Sequence, residues 1–284
     1  MWSDASSGSI LFGGIDTDKY KGDLARIDIY KESGSDAFTA FIVAMTSLQA
    51  VSSTGTDSLT STQFPIPAVL DSGTTLSYLP DDLAVQVWNE VGAVYSADIG
   101  VATVPCSMAD SKGYFSFGLG GTGGPLINIT MDELVLDLSS GQAPTFTSGR
   151  YKGQTACEFG IQNLTGGPYL LGDTFLRSAY VVYDLVNNQI AIAPTDFNST
   201  TSNVVAFASS GAPIPSATAA PNQGEISNTA SATSASSMSA SSGFAGSSGT
   251  KSAASAPAAL DWSKMAIMGA AMGFTILGSG LSLL

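Results

Sequence analysis

The chain has 284 residues, 23 of them acidic against 10 basic, no histidine and a formal charge of −13, which leaves no basic surface for gripping nucleic acid. Without histidine it can build neither a Ser-His-Asp or Cys-His nucleophilic site nor a His-ligated zinc or non-haem iron centre, so its chemistry must rest on carboxylates, hydroxyls or lysines. Charged residues are 12% and apolar residues 44%, with 31 glycines, the mix of a β-rich secreted domain joined to an unusually uncharged segment.

The amino terminus, Met1-Trp2-Ser3-Asp4, shows no basic stretch leading into an apolar one. No secretory leader is legible there, although later features point to secretion, and this suggests a chain missing its beginning. From Ser9 to Pro194 the patterning is that of strands. Ile10–Phe12, Ala25–Tyr30, Thr39–Ala44 and Val181–Asp184 are short β-branched or aromatic runs bounded by Gly, Asp and Asn. A mostly β, mostly antiparallel domain is expected. Asp16, Asp18 and Asp23 lack the spacing of a calcium loop.

Ala68-Val69-Leu70-Asp71-Ser72-Gly73-Thr74-Thr75 sets an apolar strand directly ahead of an Asp-Ser-Gly-Thr turn. The strand would carry Asp71 into a buried loop, where Gly73 lets the backbone turn back on the carboxylate and Ser72 and Thr74 offer hydroxyls. The tripeptide alone also suits an ordinary surface turn. Just beyond it, Pro80-Asp81-Asp82 opens a helix whose apolar positions are Leu83, Val87 and Val91. The glycine cluster from Gly118 to Gly124 has no Lys-Ser/Thr after it and reads as a hairpin loop, not a phosphate cradle.

Cys106 and Cys157 are compatible with one disulfide in an oxidising compartment, or with two buried thiols. Asn128, Asn163 and Asn198 each open an N-glycosylation sequon. From Ala206 to Ala259, 35 of 54 residues are Ser, Thr or Ala, and the only charges are Glu225 and Lys251. Such a stretch has little to bury and is expected to be a disordered stalk, either densely O-glycosylated or bare and flexible. Met265 to Leu284 is apolar and uncharged. Small residues at 252–256, a short polar spacer and this tail match a GPI-attachment signal, with Ser252 and Ala253 as candidate attachment sites; a tail-anchored cytosolic protein is the competing reading.

Residues 68–75 resemble the catalytic signature of pepsin-like aspartic proteases, as carried by the carboxy-terminal lobe of that bilobal family. Two further stretches match in order. Ser9–Asp16 with Lys19-Tyr20-Lys21-Gly22 looks like the segment entering that lobe, and Tyr169–Arg177 with Tyr180–Asp184 looks like the later strand pair, where an apolar-apolar-Gly sequence crosses beneath the catalytic loop. The resemblance covers about residues 8 to 197. With the stalk and tail, the chain looks most like the fungal yapsin-like, surface-anchored members.

The resemblance implies a single carboxy-terminal lobe over residues 1–200, a stalk over 201–264 and a hydrophobic signal over 265–284. It implies that Asp71 is one member of a catalytic dyad, that Thr74 hydrogen-bonds its outer oxygen, that Ser72 joins the hydroxyl pairing between lobes, and that Gly73 and Thr74 offer backbone groups to a peptide substrate. Cys106 and Cys157 would form the lobe's disulfide. Protein or peptide substrates at acid pH, no cofactor, no metal, no nucleic acid, and an extracellular, GPI-anchored location at membrane or wall follow from the same likeness.

The chain departs from the family in one respect: it holds no second Asp-Thr/Ser-Gly. The amino-terminal lobe, with its own aspartate and flap, is expected to be the missing partner, and the chain alone is expected to be inactive. A symmetric homodimer and a non-catalytic, GPI-anchored surface glycoprotein are the alternatives. An uncovered interlobe face would expose apolar surface and promote self-association.

Overall fold

The longest strand, β1 (Ile42–Ser52), buries Ile42 to Met45 along with Leu48 and Ala50, and the sheet that holds the site is assembled around it. The computed structural model describes residues 8–32, 34–96, 100–138, 144–223, 238–244 and 260–261. Beside β1 stand β2 (Gly55–Leu59), β3 (Ile66–Leu70), β4 (Ser77–Leu79), β5 (Tyr114–Leu119), β6 (Leu126–Thr130), β7 (Ile161–Asn163) and β8 (Tyr169–Leu171). Their order is β6-β5-β1-β3-β8-β4-β7, with β2 paired to β1 off that path. Pairing is mostly antiparallel, but β8 runs parallel to β3, and β7 parallel to β4.

The insertion of β8 between β3 and β4 positions the site. Sequence neighbours β3 and β4 are held about 10 Å apart, two strand spacings, so residues 71–76 must arch across the end of β8. The helix α1 (Asp81–Val91) follows at once, with Asp81 and Asp82 in its first turn and Leu83, Val87 and Val91 buried. Gly92, at φ 65°, ends it in the left-handed conformation that glycine adopts most readily.

Two further four-stranded sheets complete the lobe, one built from Val94–Ser96, Val101–Pro105, Val135–Asp137 and Ala156–Phe159, the other from Leu24–Asp28, Ala179–Asp184, Gln189–Pro194 and Ala217–Ala219. Phe115, Phe117, Phe159 and Phe175 are fully buried where the elements meet, and Phe117 meets Phe175 edge to face with centroids 5.5 Å apart. Burying each such ring contributes about 1.5–3 kcal/mol. Cys106 and Cys157 form the expected disulfide, with Cα atoms 4.9 Å apart. The glycine cluster closes the β5–β6 hairpin, as expected.

Two expectations change. Ile10–Phe12 is not a strand: among the described residues no neighbour pairs with it, and Ile10 and Phe12 are 84% and 89% exposed. The strand begins instead at Gly14, where Gly14–Asp16 pairs with Val204–Ala206. The packed chain also runs beyond residue 200 into the expected stalk. Ala217–Ala219 adds a parallel strand to Leu24–Asp28, Ile214 and Ala220 are buried, and the helical turn Ser241–Phe244 packs against α1 and β1. A handful of apolar side chains suffices for this docking, which the Ser/Thr/Ala composition concealed. Leu260–Asp261 pairs with Thr145–Phe146. The candidate attachment residues Ser252 and Ala253 and the 265–284 tail lie outside the described residues. No helix among the described residues is long and apolar enough to cross a membrane.

Candidate active site

Asp71 leaves β3 at the point where the sheet stops supplying a neighbour on one side, and its backbone N–H donates to the Leu171 carbonyl at 3.1 Å, the last bond between β3 and β8. The turn then folds back on the side chain. Gly73 N–H donates to Asp71 Oδ1 at 2.9 Å and the Thr74 hydroxyl donates to Oδ2 at 2.5 Å. Both carboxylate oxygens are therefore oriented by the loop's own atoms. Asp71 and Thr74 are half-buried, whereas Ser72 and Gly73 are exposed. The loop thus presents its Ser72–Gly73 tip to solvent.

The loop is fastened from below. Asp173 N–H donates to the Thr74 carbonyl at 2.8 Å and Thr174 N–H to the Thr75 carbonyl at 3.0 Å. Between them and β8 lies Gly172, where a Cβ would stand 2.3 Å from the Thr74 carbonyl oxygen and 2.4 Å from that of Leu76. Only glycine permits this crossing. A buried hydroxyl pair, Ser77 Oγ and Thr174 Oγ1 at 3.0 Å, continues the fastening, with Thr174 Oγ1 also donating to the Gly160 carbonyl at 3.1 Å.

An aromatic pair flanks the carboxylate. Phe41, whose carbonyl accepts the Leu70 N–H at 3.1 Å, packs edge to face on Tyr183 with centroids 4.5 Å apart. Burial and the negative charge of Asp71 push the Tyr183 hydroxyl up to about 12. It stays neutral, able to donate, through the whole acid and neutral range. Sequence reading assigned Phe41 and Tyr183 to strands only; their meeting depends on sheet packing, and no local signal marks it.

The remaining expected site residues lie elsewhere. Asn128 is exposed on β6, at the free edge of the main sheet, and Asn198 is exposed after the strand Gln189–Pro194. Asn163 is half-buried, and its Nδ2 donates to Asp81 Oδ1 at 2.7 Å while Thr165 Oγ1 donates to Asp81 Oδ2 at 2.8 Å. Among the described residues one grouping has ligand atoms close enough for a metal ion, Cys106–Asp137–Cys157. Both of its sulfurs are joined to each other in the disulfide, so the donor set does not suit a metal.

The family model described as "Eukaryotic aspartyl protease" matches residues 1–195. The "Probable aspartic-type endopeptidase OPSB" of Arthroderma otae is 42% identical over 223 residues, covering 77% of this chain and 44% of the relative. "Aspartic proteinase 3" of Saccharomyces cerevisiae is 38% identical over 226 residues, covering 77% of this chain and 35% of the relative. "Aspartic proteinase yapsin-3" of the same yeast is 36% identical over 233 residues, with 80% and 42% covered. The chain spans less than half the length of these relatives.

Proposed function

The chain belongs to the eukaryotic aspartyl protease family, and on that premise we propose that it is the Asp71-bearing half of an aspartic endopeptidase that hydrolyses proteins at acid pH. The observation that carries this reading is the grip on Asp71: Gly73 N–H on one oxygen and the Thr74 hydroxyl on the other, with the loop locked over Gly172. Peptide hydrolysis by carboxylates needs two of them sharing one proton around a water molecule. The ionised member takes a proton from that water as it attacks the scissile carbonyl, while the protonated member donates to the carbonyl oxygen. This chain supplies one carboxylate, and an amino-terminal lobe of the same protease supplies the other. The protons belong to the pair, so activity depends on the titration of the dyad as a unit.

Ser72, exposed at the loop tip, would pair with the matching hydroxyl of the amino-terminal lobe, and the backbone of Gly73 and Thr74 would bind substrate. The disulfide supports an extracellular setting. Glycans on Asn128, Asn163 and Asn198, the first shielding a sheet edge, and a glycolipid at Ser252 or Ala253 would place the enzyme on the outer surface of the cell, at the membrane or wall.

The native transcript tests the reading. The proposal expects coding sequence upstream of Met1 for a secretory leader and a second Asp-Thr/Ser-Gly. A native transcript that encodes neither would leave a non-catalytic surface glycoprotein.

A further inference from the structure

Residues 238–244, deep inside the Ser/Thr/Ala segment, are held by polar contacts on both sides of their backbone. The Ser239 hydroxyl donates to Asp57 Oδ1 at 2.7 Å and the Ala240 N–H to Asp57 Oδ2 at 2.6 Å. In return the Thr54 hydroxyl donates to the Ser239 carbonyl and the Ser52 hydroxyl to the Ala240 carbonyl, both at 2.6 Å. Phe244 is fully buried and stacks on Phe115 at 5.4 Å, over Gly113, where a Cβ would fall 2.3 Å from the Phe244 ring. The lobe surface is cut to receive this segment.

The anchor of the arrangement is itself unusual. Asp57 is 1% exposed and Glu90, on α1, is 3% exposed, the two carboxyl groups lie close enough to act on each other, and Glu90 Oε2 has no hydrogen-bond partner among the described residues. Both oxygens of Asp57 already accept donors from the segment, so a proton that lets the two buried carboxyls stand side by side falls to Glu90. We propose that the Asp57–Glu90 pair is an acid-closed clasp that fastens the stalk segment 238–244 to the lobe and releases it as the surroundings become neutral.

Burial first, and then the Asp57 charge, push Glu90 up to about 7. The elements packed against α1 bring little else that titrates. Asp57 comes from β2, Tyr78 from β4 and Tyr95, stacked on Trp88 with centroids 5.4 Å apart, from the strand Val94–Ser96, while β7 and the turn Ser241–Phe244 bring none. On α1 itself Asp81 and Asp82 sit at the opposite end, and Arg150 and Tyr151 meet the Gly92 carbonyl beyond its last turn. The charge acting on Glu90 is that of Asp57. When Glu90 loses its proton, two like charges share a dry site with no proton between them, and separation or hydration of the pair relieves the repulsion. Asp57 cannot move or hydrate without disturbing Ser239 and Ala240.

The inference stands on this face of the lobe alone and does not depend on the protease reading.

Hydrogen–deuterium exchange of the full chain at about pH 5 and about pH 8, corrected for intrinsic exchange rates, tests it, with the amides of β1 as the fold control. The expected result is protection of 238–244 that falls about tenfold or more at the higher pH while β1 stays protected, the scale of one pKa unit or more. Glu90→Gln, which keeps a donor toward Asp57 but cannot ionise, should stay protected at both, and Asp57→Asn should lose protection at both. Equal protection of wild-type 238–244 at the two pH values, high or low, overturns the proposal, as does a Glu90→Gln chain that loses protection as the wild type does. Should either variant fail to fold, the wild-type comparison decides by itself.

Discussion

Gly172 passes so close beneath Thr74 that a side-chain carbon at position 172 would stand 2.3 Å from the Thr74 carbonyl oxygen. The contact is backbone against backbone, so no rotamer change can relieve it. Gly172→Ala must push the Asp71 loop outward or pull β8 down, and overpacking of this kind costs about 1–3 kcal/mol or more. Denaturant unfolding should show the unfolding free energy falling by that amount, with a lower midpoint. An unchanged midpoint would mean that the crossing is looser than described.

The Thr74 hydroxyl acts on the charge of Asp71, whereas Gly172 acts on its position. Thr74→Val keeps the volume and removes the donor to Oδ2. A hydrogen bond to a charged group contributes about 1.5–3 kcal/mol, so kcat/KM of the two-lobed enzyme should fall roughly ten- to a hundredfold while the fold persists. A loss of stability equal to that of Gly172→Ala would instead make Thr74 a structural residue.

The disulfide joins positions separated by 51 residues and ties the strands Val101–Pro105 and Ala156–Phe159 at one end. Closing a loop of this size contributes about 4 kcal/mol in the chain-entropy model. Replacing both cysteines with alanine should lower the unfolding free energy by about 2–5 kcal/mol, read from denaturant melts of oxidised and mutant chains.

Stability should be greatest in acid. Glu90 holds its proton in the folded chain up to about pH 7 against an ordinary value of 4.5, so between these limits the unfolded chain has released a proton that the folded chain keeps, and stability falls as pH rises. Burial raises Glu133 and Glu158 in the same direction, opposed at Glu133 by Arg177. Asp16 and Asp184 work the opposite way. Burial raises each, but the donors Ser202, Asn203 and Asp18 at Asp16, and Asn187, Gln189 and Val186 at Asp184, outweigh it and hold both below 3.8. Their contribution is present above 3.8 and is lost as pH falls through the lowered values. Melting temperature should therefore peak near pH 4 to 5 and drop by several degrees toward pH 7, with a shallower drop in Glu90→Gln.

The parts of this lobe that were legible in sequence are those set by local chemistry. An apolar run ending in Asp-Ser-Gly-Thr announces both the strand β3 and the turn that grips Asp71, because Gly73 and Thr74 act on a carboxylate two and three residues away. The Pro80-Asp81-Asp82 start of α1 is equally local. The Phe41–Tyr183 pair and the Ser77–Thr174 hydroxyl pair arise only once distant strands are laid side by side. The docking of 238–244 was hidden for a different reason: one phenylalanine, one buried alanine and a serine hydroxyl perform it, within a composition that otherwise signals an extended chain.

Proteolysis by the native gene product is the most direct measure of the central claim. The wild-type protein and its Asp71→Asn variant, matched in amount, should be compared on an unfolded protein substrate at about pH 4, where a shared-proton dyad can operate. The account expects cleavage by the wild type and none above background from Asp71→Asn, with both proteins melting alike. Cleavage by the Asp71→Asn protein at the wild-type rate would contradict it.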